Sequence, residues 1–116
     1  MSFLPVESVF VAYAKNEGGP VTARVSVVIP CLNEAGQISC CLDSLINGDY
    51  PKRLLEVLVI DGMSEDQTRD IVAGYSRRFS FIRMLDNPRK TQQIALNIGI
   101  KQAKGDFIIR MDAHCC

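Results

Sequence analysis

Four short apolar runs alternate along the chain with longer segments in which apolar residues recur every three or four positions. The runs cover residues 24–30, 55–60, 81–85 and 107–111. They are typical of strands that are buried on both faces of a parallel sheet. The longer segments predict helices with one apolar stripe. The resulting order, β-α-β-α-β-α-β, predicts an α/β fold with right-handed crossovers and a mostly parallel sheet.

Local signals predict where the helices end. Ser64 followed by Gln67 has the pattern of a capping box, which predicts the start of the second helix. Gly105 lies at the C-cap position of a third predicted helix, which runs from about Lys90 to Lys104. Residues 1–23 carry weak signals, with a possible short strand at residues 9–13. We therefore divide the chain into an N-terminal arm, residues 1–23, and a domain, residues 24–116.

Polar residues follow every predicted strand, and in a doubly wound sheet such carboxyl ends face one crevice. In chain order they are Asn33 and Glu34; Asp61 and Ser64; Asn87, Arg89 and Lys90; Asp112 and His114. Carboxylates and amides suit a base edge or a ribose, and cations or a metal suit a diphosphate, so this set favours a nucleotide. Asp112 and His114 alternate along an extended backbone, and both side chains are competent ligands for a divalent metal.

Simpler interpretations of the same residues remain open. Asn33 could begin a helix as its N-cap. Asp61 could belong only to a turn. Lys90 could be a solvated charge, and His114 could be a surface residue.

Composition and charge argue against several classes of partner. The formal net charge is +0, so no basic field favours nucleic acid or an anionic membrane. The five cysteines form no C-x-x-C pair, and their odd number favours free thiols, small and buried, in a reducing compartment. Neither a secretory signal nor a run of about 20 apolar residues is visible, so we expect a soluble, cytoplasmic chain. The phosphate-binding motifs G-x-x-x-x-G-K-[ST] and G-x-G-x-x-G are absent.

Four blocks, in this order, resemble inverting glycosyltransferase family 2. Residues 25–34 have its apolar strand, its proline and its x-x-Asn-Glu ending, and residues 58–68 resemble its D-G-x-S-x-D-x-T block. Residues 95–105 are similar to its A-x-N-x-G-I helix with a following A-x-G. Residues 111–114 stand where the family keeps its D-x-D metal motif, and their D-x-H form most resembles the succinoglycan-biosynthesis branch.

The resemblance implies a GT-A-type fold, which is a Rossmann-like three-layer αβα sandwich, and a nucleotide-sugar donor that is typically a UDP-sugar. It implies that Pro30, Asn33 and Glu34 line the nucleoside pocket. It further implies that Asp61 hydrogen-bonds the base and that Lys90 lies on the diphosphate side.

The resemblance also implies a metal site and a mechanism. Asp112 and His114 would hold a divalent metal against the diphosphate. Because histidine replaces the second aspartate, the site is softer and less negative, and manganese is expected over magnesium. The metal would neutralise charge on the leaving diphosphate, while a carboxylate base deprotonates the hydroxyl of a saccharide or lipid-linked acceptor.

In the resembled family that base lies downstream of the metal motif, whereas this sequence stops two residues after His114. We therefore expect a donor-binding fragment, truncated before the acceptor half, with no catalytic residue of its own and an exposed edge at its fourth strand. Membrane association would come only from a further C-terminal part. Two other classes remain open: a nucleotidyltransferase, and a non-catalytic nucleotide-binding or interaction module.

Overall fold

The structure, a computed structural model, describes residues 23–113 in full and residues 2–6 and 9–13 by their backbone. Strands β1 (Ser2–Val6) and β2 (Val9–Tyr13) pair in antiparallel register. The short strand that the sequence allowed at residues 9–13 is therefore present, as one half of a hairpin.

Four parallel strands form the main sheet, in the spatial order β5-β4-β3-β6. They are β3 (Val25–Cys31), β4 (Leu55–Asp61), β5 (Ile82–Asp86) and β6 (Phe107–Arg110). Every residue of β3 is buried, and so is every residue of β4 except Glu56. These are the central strands, which explains their nearly continuous apolar sequence. The predicted parallel α/β fold is confirmed.

Helices cover both faces of this sheet. They are α1 (Ile38–Ile46), α2 (Thr68–Arg78) and α3 (Gln92–Gln102), with a short 3-10 helix at Lys52–Leu54. Because side chains alternate along a strand, Val27 packs in one core with Leu42 of α1 and Val72 of α2. Val28 packs in a second core with Ala95 of α3. The expected three-layer αβα sandwich is thus confirmed.

None of the described helices has the length and apolar character needed to cross a membrane.

Two predicted helix ends are wrong because other contacts override the local pattern. Helix α2 begins well after Ser64, whose hydroxyl donates to Asp61 Oδ1 at 2.5 Å instead of capping the helix. Helix α3 has Ala103 as its C-cap, so Gly105 lies beyond the helix, in the bend before β6.

Strand β6 lies at one edge of the main sheet and pairs with β3 alone among the described strands. Phe107 and Ile108, whose side chains point to opposite faces, are 48% and 45% exposed. The expected exposed edge is confirmed, and it carries apolar side chains on both faces.

Candidate functional site

A pocket of about 220 Å³ lies at the carboxyl edge of the main sheet. Four predicted site residues line it: Pro30 in β3, Glu34 in the loop that follows, Lys90 between β5 and α3, and Asp112 after β6. Thr91 adds a polar side chain from the start of α3. The crevice predicted from the strand ends is therefore present, and it collects polar residues from separate segments of the chain.

Asn33 does not line this pocket; it joins the loops after β3 and β4. Its backbone N–H donates to Ser64 Oγ, and its Oδ1 accepts from the backbone N–H of Glu65, both at 2.8 Å. The backbone N–H of Glu34 donates to Thr68 Oγ1 at 2.9 Å. Helix α1 begins further along the chain, so Asn33 holds two loops together and does not cap a helix.

Asp61 ends β4 with a fully buried side chain. Its Oδ1 accepts from the Ser64 hydroxyl, and its Oδ2 accepts from the backbone N–H of Ser64 and from Arg69 Nη1 at 2.8 Å each. These three hydrogen bonds fix the orientation of the carboxylate. In this structure Asp61 organises the loop beside the pocket and is not part of the pocket lining.

Arg69 holds Asp61 in place, a role that the sequence did not reveal. Its Nη1 contacts Asp61 Oδ2 and its Nη2 contacts Asp86 Oδ1, both at 2.8 Å. The hydrogen bond to Asp61, followed by that to Asp86, raises the pKa of the Arg69 guanidinium. Arg69 therefore ties α2 to the carboxyl ends of β4 and β5.

Asn87 follows β5 and lines the pocket, although its side chain is almost completely buried. Its backbone N–H donates to the carbonyl of Asp61 at 2.7 Å, and its Nδ2 donates to the carbonyl of Thr91 at 2.9 Å. Its Oδ1 is buried and has no hydrogen-bond partner. The sequence marked Asn87 only as one of several polar residues after a strand.

Backbone strain gathers at the same edge of the sheet. Among the described residues, three that are not glycine have a positive φ: Asn33 at 53°, Met63 at 63° and Lys90 at 66°. They lie in the loops after β3, β4 and β5 respectively. Such conformations cluster at functional sites, where the surrounding structure holds them. Their placement supports this edge as the functional one.

The sequence profile of glycosyl transferase family 2 matches residues 26–116. The chain belongs to glycosyl transferase family 2. The resemblance inferred from four sequence blocks is thereby confirmed.

Two relatives illustrate how much of a family 2 protein this chain represents. A dolichyl N-acetyl-alpha-D-glucosaminyl phosphate 3-beta-D-2,3-diacetamido-2,3-dideoxy-beta-D-glucuronosyltransferase of Methanococcus voltae is 40% identical over 92 residues, which are 78% of this chain and 29% of that protein. The succinoglycan biosynthesis protein ExoA of Rhizobium meliloti is 37% identical over 90 residues, which are 76% and 27% respectively. The chain therefore spans less than a third of the length of these relatives.

Solved structures show the same fold with ligands. A mannosyltransferase of Pyrobaculum calidifontis, in complex with GDP-Man and Mn²⁺, has a TM-score of 0.74 at 32% identity, covering 79% of this chain and 28% of that one. Staphylococcus aureus TarS 1-349, in complex with UDP-GlcNAc, has a TM-score of 0.71 at 30% identity, covering 78% and 26%. Both confirm the GT-A glycosyltransferase fold for the family 2 segment.

Asp112 is the part of the predicted metal motif that the structure describes in this family 2 chain; His114 lies outside the described residues. The side chain of Asp112 is 23% exposed, and its Oδ1 is 3.3 Å from Arg110 Nη2. Within residues 23–113, no three His, Cys, Asp or Glu side chains form a cluster that could hold a metal. One carboxylate from Asp112 fits a cation that takes its other ligands from a bound diphosphate.

The cysteines of the family 2 segment differ in state. Cys31 has a free, buried thiol, and Cys41 is buried as well, as expected. Cys40 is disulfide-bonded, so the prediction of free thiols is wrong at this position.

Cys31 is expected to resist alkylation while the chain is folded. Burial, followed by the negative charge of Asp61, raises the pKa of the Cys31 thiol from its ordinary 9.0 to about 12. Since the thiolate is the nucleophile, iodoacetamide at pH 8 should modify Cys31 in urea and not in buffer, as mass spectrometry of the peptides would show. Equal modification in both solvents would contradict this prediction.

The raised pKa of Cys31 also makes the stability of the fold depend on pH. The folded state holds the thiol proton of Cys31 more tightly than the unfolded state does. Its contribution to the free energy of unfolding is therefore present below pH 9 and is lost as the pH rises towards 12.

Proposed function

We propose that this chain is the donor-binding part of an inverting glycosyltransferase that takes a UDP-sugar together with a divalent metal. The observation that carries the proposal is the pocket at the carboxyl edge of the sheet. It brings together Pro30, Glu34, Lys90 and Asp112, all of which the family resemblance had assigned to the donor. The complexes of related proteins with UDP-GlcNAc and with GDP-Man support the same ligand class.

Within this proposal, each residue has a role that matches its position. Pro30 and Glu34 form the nucleoside wall, because both belong to β3 and the loop after it. Lys90, exposed in the turn before α3, supplies positive charge on the diphosphate side. Asn33 and Asp61 act indirectly, because their polar atoms hold the two neighbouring loops in place.

Asp112, together with His114, would hold the metal, with manganese preferred over magnesium. When bound, the metal stabilises the negative charge of the departing diphosphate. Arg110 Nη2 takes only one acceptor position of the Asp112 carboxylate, at 3.3 Å, so Asp112 could hold a cation without losing this contact. Arg110 also donates to Gln92 Oε1 at 3.1 Å, which holds the guanidinium beside the pocket.

The remaining parts of the reaction are assigned to residues outside this chain. We propose that they supply the catalytic base and the site for a saccharide or lipid-linked acceptor, in polysaccharide or glycolipid synthesis. Residues 1–116 alone should then bind nucleotide weakly and transfer no sugar. We also propose a cytoplasmic location, with membrane attachment, where it exists, through those further residues.

Calorimetric titration of UDP, with and without Mn²⁺, tests the donor site. We expect Mn²⁺ to strengthen binding to the unaltered chain, and Asp112→Ala to abolish that strengthening, because the variant loses a metal ligand next to the diphosphate. Losing one ligand or its support typically weakens metal binding by about 10- to 100-fold. Asp70→Ala is the matched control, because Asp70 is an exposed aspartate of α2 away from the pocket.

The titration has two outcomes that would contradict the proposal. In one, the folded chain binds no UDP under either condition. In the other, Asp112→Ala and Asp70→Ala behave alike, which would remove Asp112 from the metal site. A folded chain without nucleotide binding would favour an interaction module.

A further inference from the structure

A second pocket, of about 60 Å³, lies at the amino edge of the main sheet. Its charged lining consists of Arg24, Arg53, Lys104 and Glu56. Strand β3 spans seven residues between the two edges of the sheet, which is about 20 Å, so this pocket is separate from the one at the carboxyl edge. One water molecule takes up about 30 Å³ in the liquid, so this pocket suits a small group and not a nucleotide.

The three cations of this lining meet because they precede three adjacent strands. Arg24 directly precedes β3, Arg53 lies in the 3-10 helix before β4, and Lys104 lies in the connection before β6. Both β4 and β6 pair with β3 from Val25 onward, so the three strands start at the same level. Neighbouring strands are about 4.8 Å apart, so long side chains from three such starts can reach one ion.

The charges of the three cations are not neutralised by ion pairs. Among the described residues, none of the three side chains has a carboxylate partner. Glu56 Oε2 accepts instead from the Ser26 hydroxyl at 2.6 Å and from the backbone N–H of Lys104 at 2.9 Å. Asp106 lies outside the lining, where its Oδ2 accepts from the backbone N–H of Arg24 at 3.1 Å. Three cations against one carboxylate leave the lining with an excess of two positive charges.

This excess favours an anion as the occupant of the pocket. The formal net charge of the chain is +0, so the excess is local and does not reflect a basic chain. Charges of one sign that line a concave surface raise the local concentration of the opposite ion. The planar guanidinium of arginine matches the oxygens of a phosphate group, to which it can donate two parallel hydrogen bonds.

We propose that the amino-edge pocket binds a phosphate group, which is held by Arg24, Arg53 and Lys104. A soluble phosphate and the headgroup of an acidic phospholipid both present this group, and they are the two sources to be distinguished. The site is additional to the proposed donor function, because none of its lining residues lines the pocket at the carboxyl edge.

Titration of the isotope-labelled chain with inorganic phosphate, followed by amide NMR spectra, tests where phosphate binds. We expect the amide signals of Val25, Leu55 and Gly105 to shift with increasing phosphate, because these residues line the amino-edge pocket. Signals that remain unchanged at these three residues would overturn the proposal. So would shifts confined to Thr91 and Ala95, which line the pocket at the carboxyl edge.

A double variant tests which side chains hold the phosphate. Arg53→Gln combined with Lys104→Gln should weaken phosphate binding by about fivefold or more, because each exposed charge contact is worth up to about fivefold in affinity. The matched control combines Arg77→Gln with Lys101→Gln, which removes the same charges from exposed positions in the last turns of α2 and α3 that line neither pocket. The control should bind phosphate as the unaltered chain does. Equal weakening in both double variants would overturn the proposal, because the response would then follow net charge alone.

Sedimentation with lipid vesicles distinguishes the two sources of the phosphate group. Vesicles of phosphatidylcholine with phosphatidic acid are compared with vesicles of phosphatidylcholine alone. Binding that requires phosphatidic acid and is lost in the Arg53, Lys104 double variant would assign the group to a lipid headgroup. Phosphate-dependent NMR shifts without vesicle binding would support the same site with a soluble phosphate. None of these measurements depends on UDP, so a failure of this proposal and a failure of the donor site are distinguishable.

Discussion

Gly105→Ala is expected to lower the free energy of unfolding by about 3 kcal/mol. A Cβ atom at this position would lie 2.7 Å from both the N and Oγ of Ser26, and 2.9 Å from the carbonyl carbon of Val25. Two of these three atoms belong to the backbone of a central strand, which cannot move without disturbing the sheet. Urea denaturation of the variant and the unaltered chain would measure the loss.

The same substitution would also disturb a polar cluster. The N–H of Gly105 donates to Ser26 Oγ at 2.9 Å, and that hydroxyl donates to Glu56 Oε2 at 2.6 Å. Glu56 also accepts from the N–H of Lys104 at 2.9 Å. These contacts fasten the connection between α3 and β6 to the two central strands, so the strain would spread through several bonds.

Gly36→Ala is the matched control for this prediction. A Cβ at Gly36 would meet nothing within 4 Å, so the variant should be as stable as the unaltered chain or slightly more stable. Equal stability of the two alanine variants would show that the close packing at Gly105 does not limit the fold.

Gly105 also shows where the sequence pattern was informative and where it was not. A glycine after a run of helical residues is typical of a C-cap, yet α3 already ends at Ala103. The glycine is needed because β3 approaches it closely, and only the packed structure reveals that contact. By contrast, β3 itself was predicted almost to the residue, since a continuous run of apolar residues requires burial on both faces.

The loop after β4 illustrates the same limit at the candidate site. Ser64 and Gln67 have the spacing of a capping box, but Asn33 competes for the Ser64 hydroxyl from a distant part of the chain. A local pattern cannot include such a partner. Glu34 and Asp112 were predictable, because topology brings all strand ends to one edge. Pro30 was assigned only by the family resemblance. Arg69 and Asn87 were not assigned a role, because their importance lies in which neighbours they meet and how deeply they are buried.

Asp61→Ala is expected to cost about 3 kcal/mol of stability, because it removes a fully buried carboxylate that accepts three hydrogen bonds. The variant would leave the backbone N–H of Ser64 without its acceptor and Arg69 with Asp86 as its remaining carboxylate partner. Urea denaturation at pH 7 would measure the loss.

Asp86→Ala is the control, because it removes the other carboxylate from the same guanidinium at a site where the side chain is 56% exposed. Exposed ion pairs contribute only about 0–1 kcal/mol, so this variant should remain close to the unaltered chain. If Asp61→Ala were as stable as Asp86→Ala, the buried contacts of Asp61 would not hold the loop.

The comparison also decides how a binding defect at Asp61 should be understood. A destabilised Asp61→Ala variant that binds UDP poorly has lost the loop beside the pocket, because the Asp61 side chain holds Ser64 and Arg69 there. A variant that stays folded and stable yet loses UDP would instead assign recognition of the base to the Asp61 carboxylate itself. The stability and the UDP affinity of the two carboxylate variants together therefore distinguish an acceptor that contacts the base from one that only positions its neighbours.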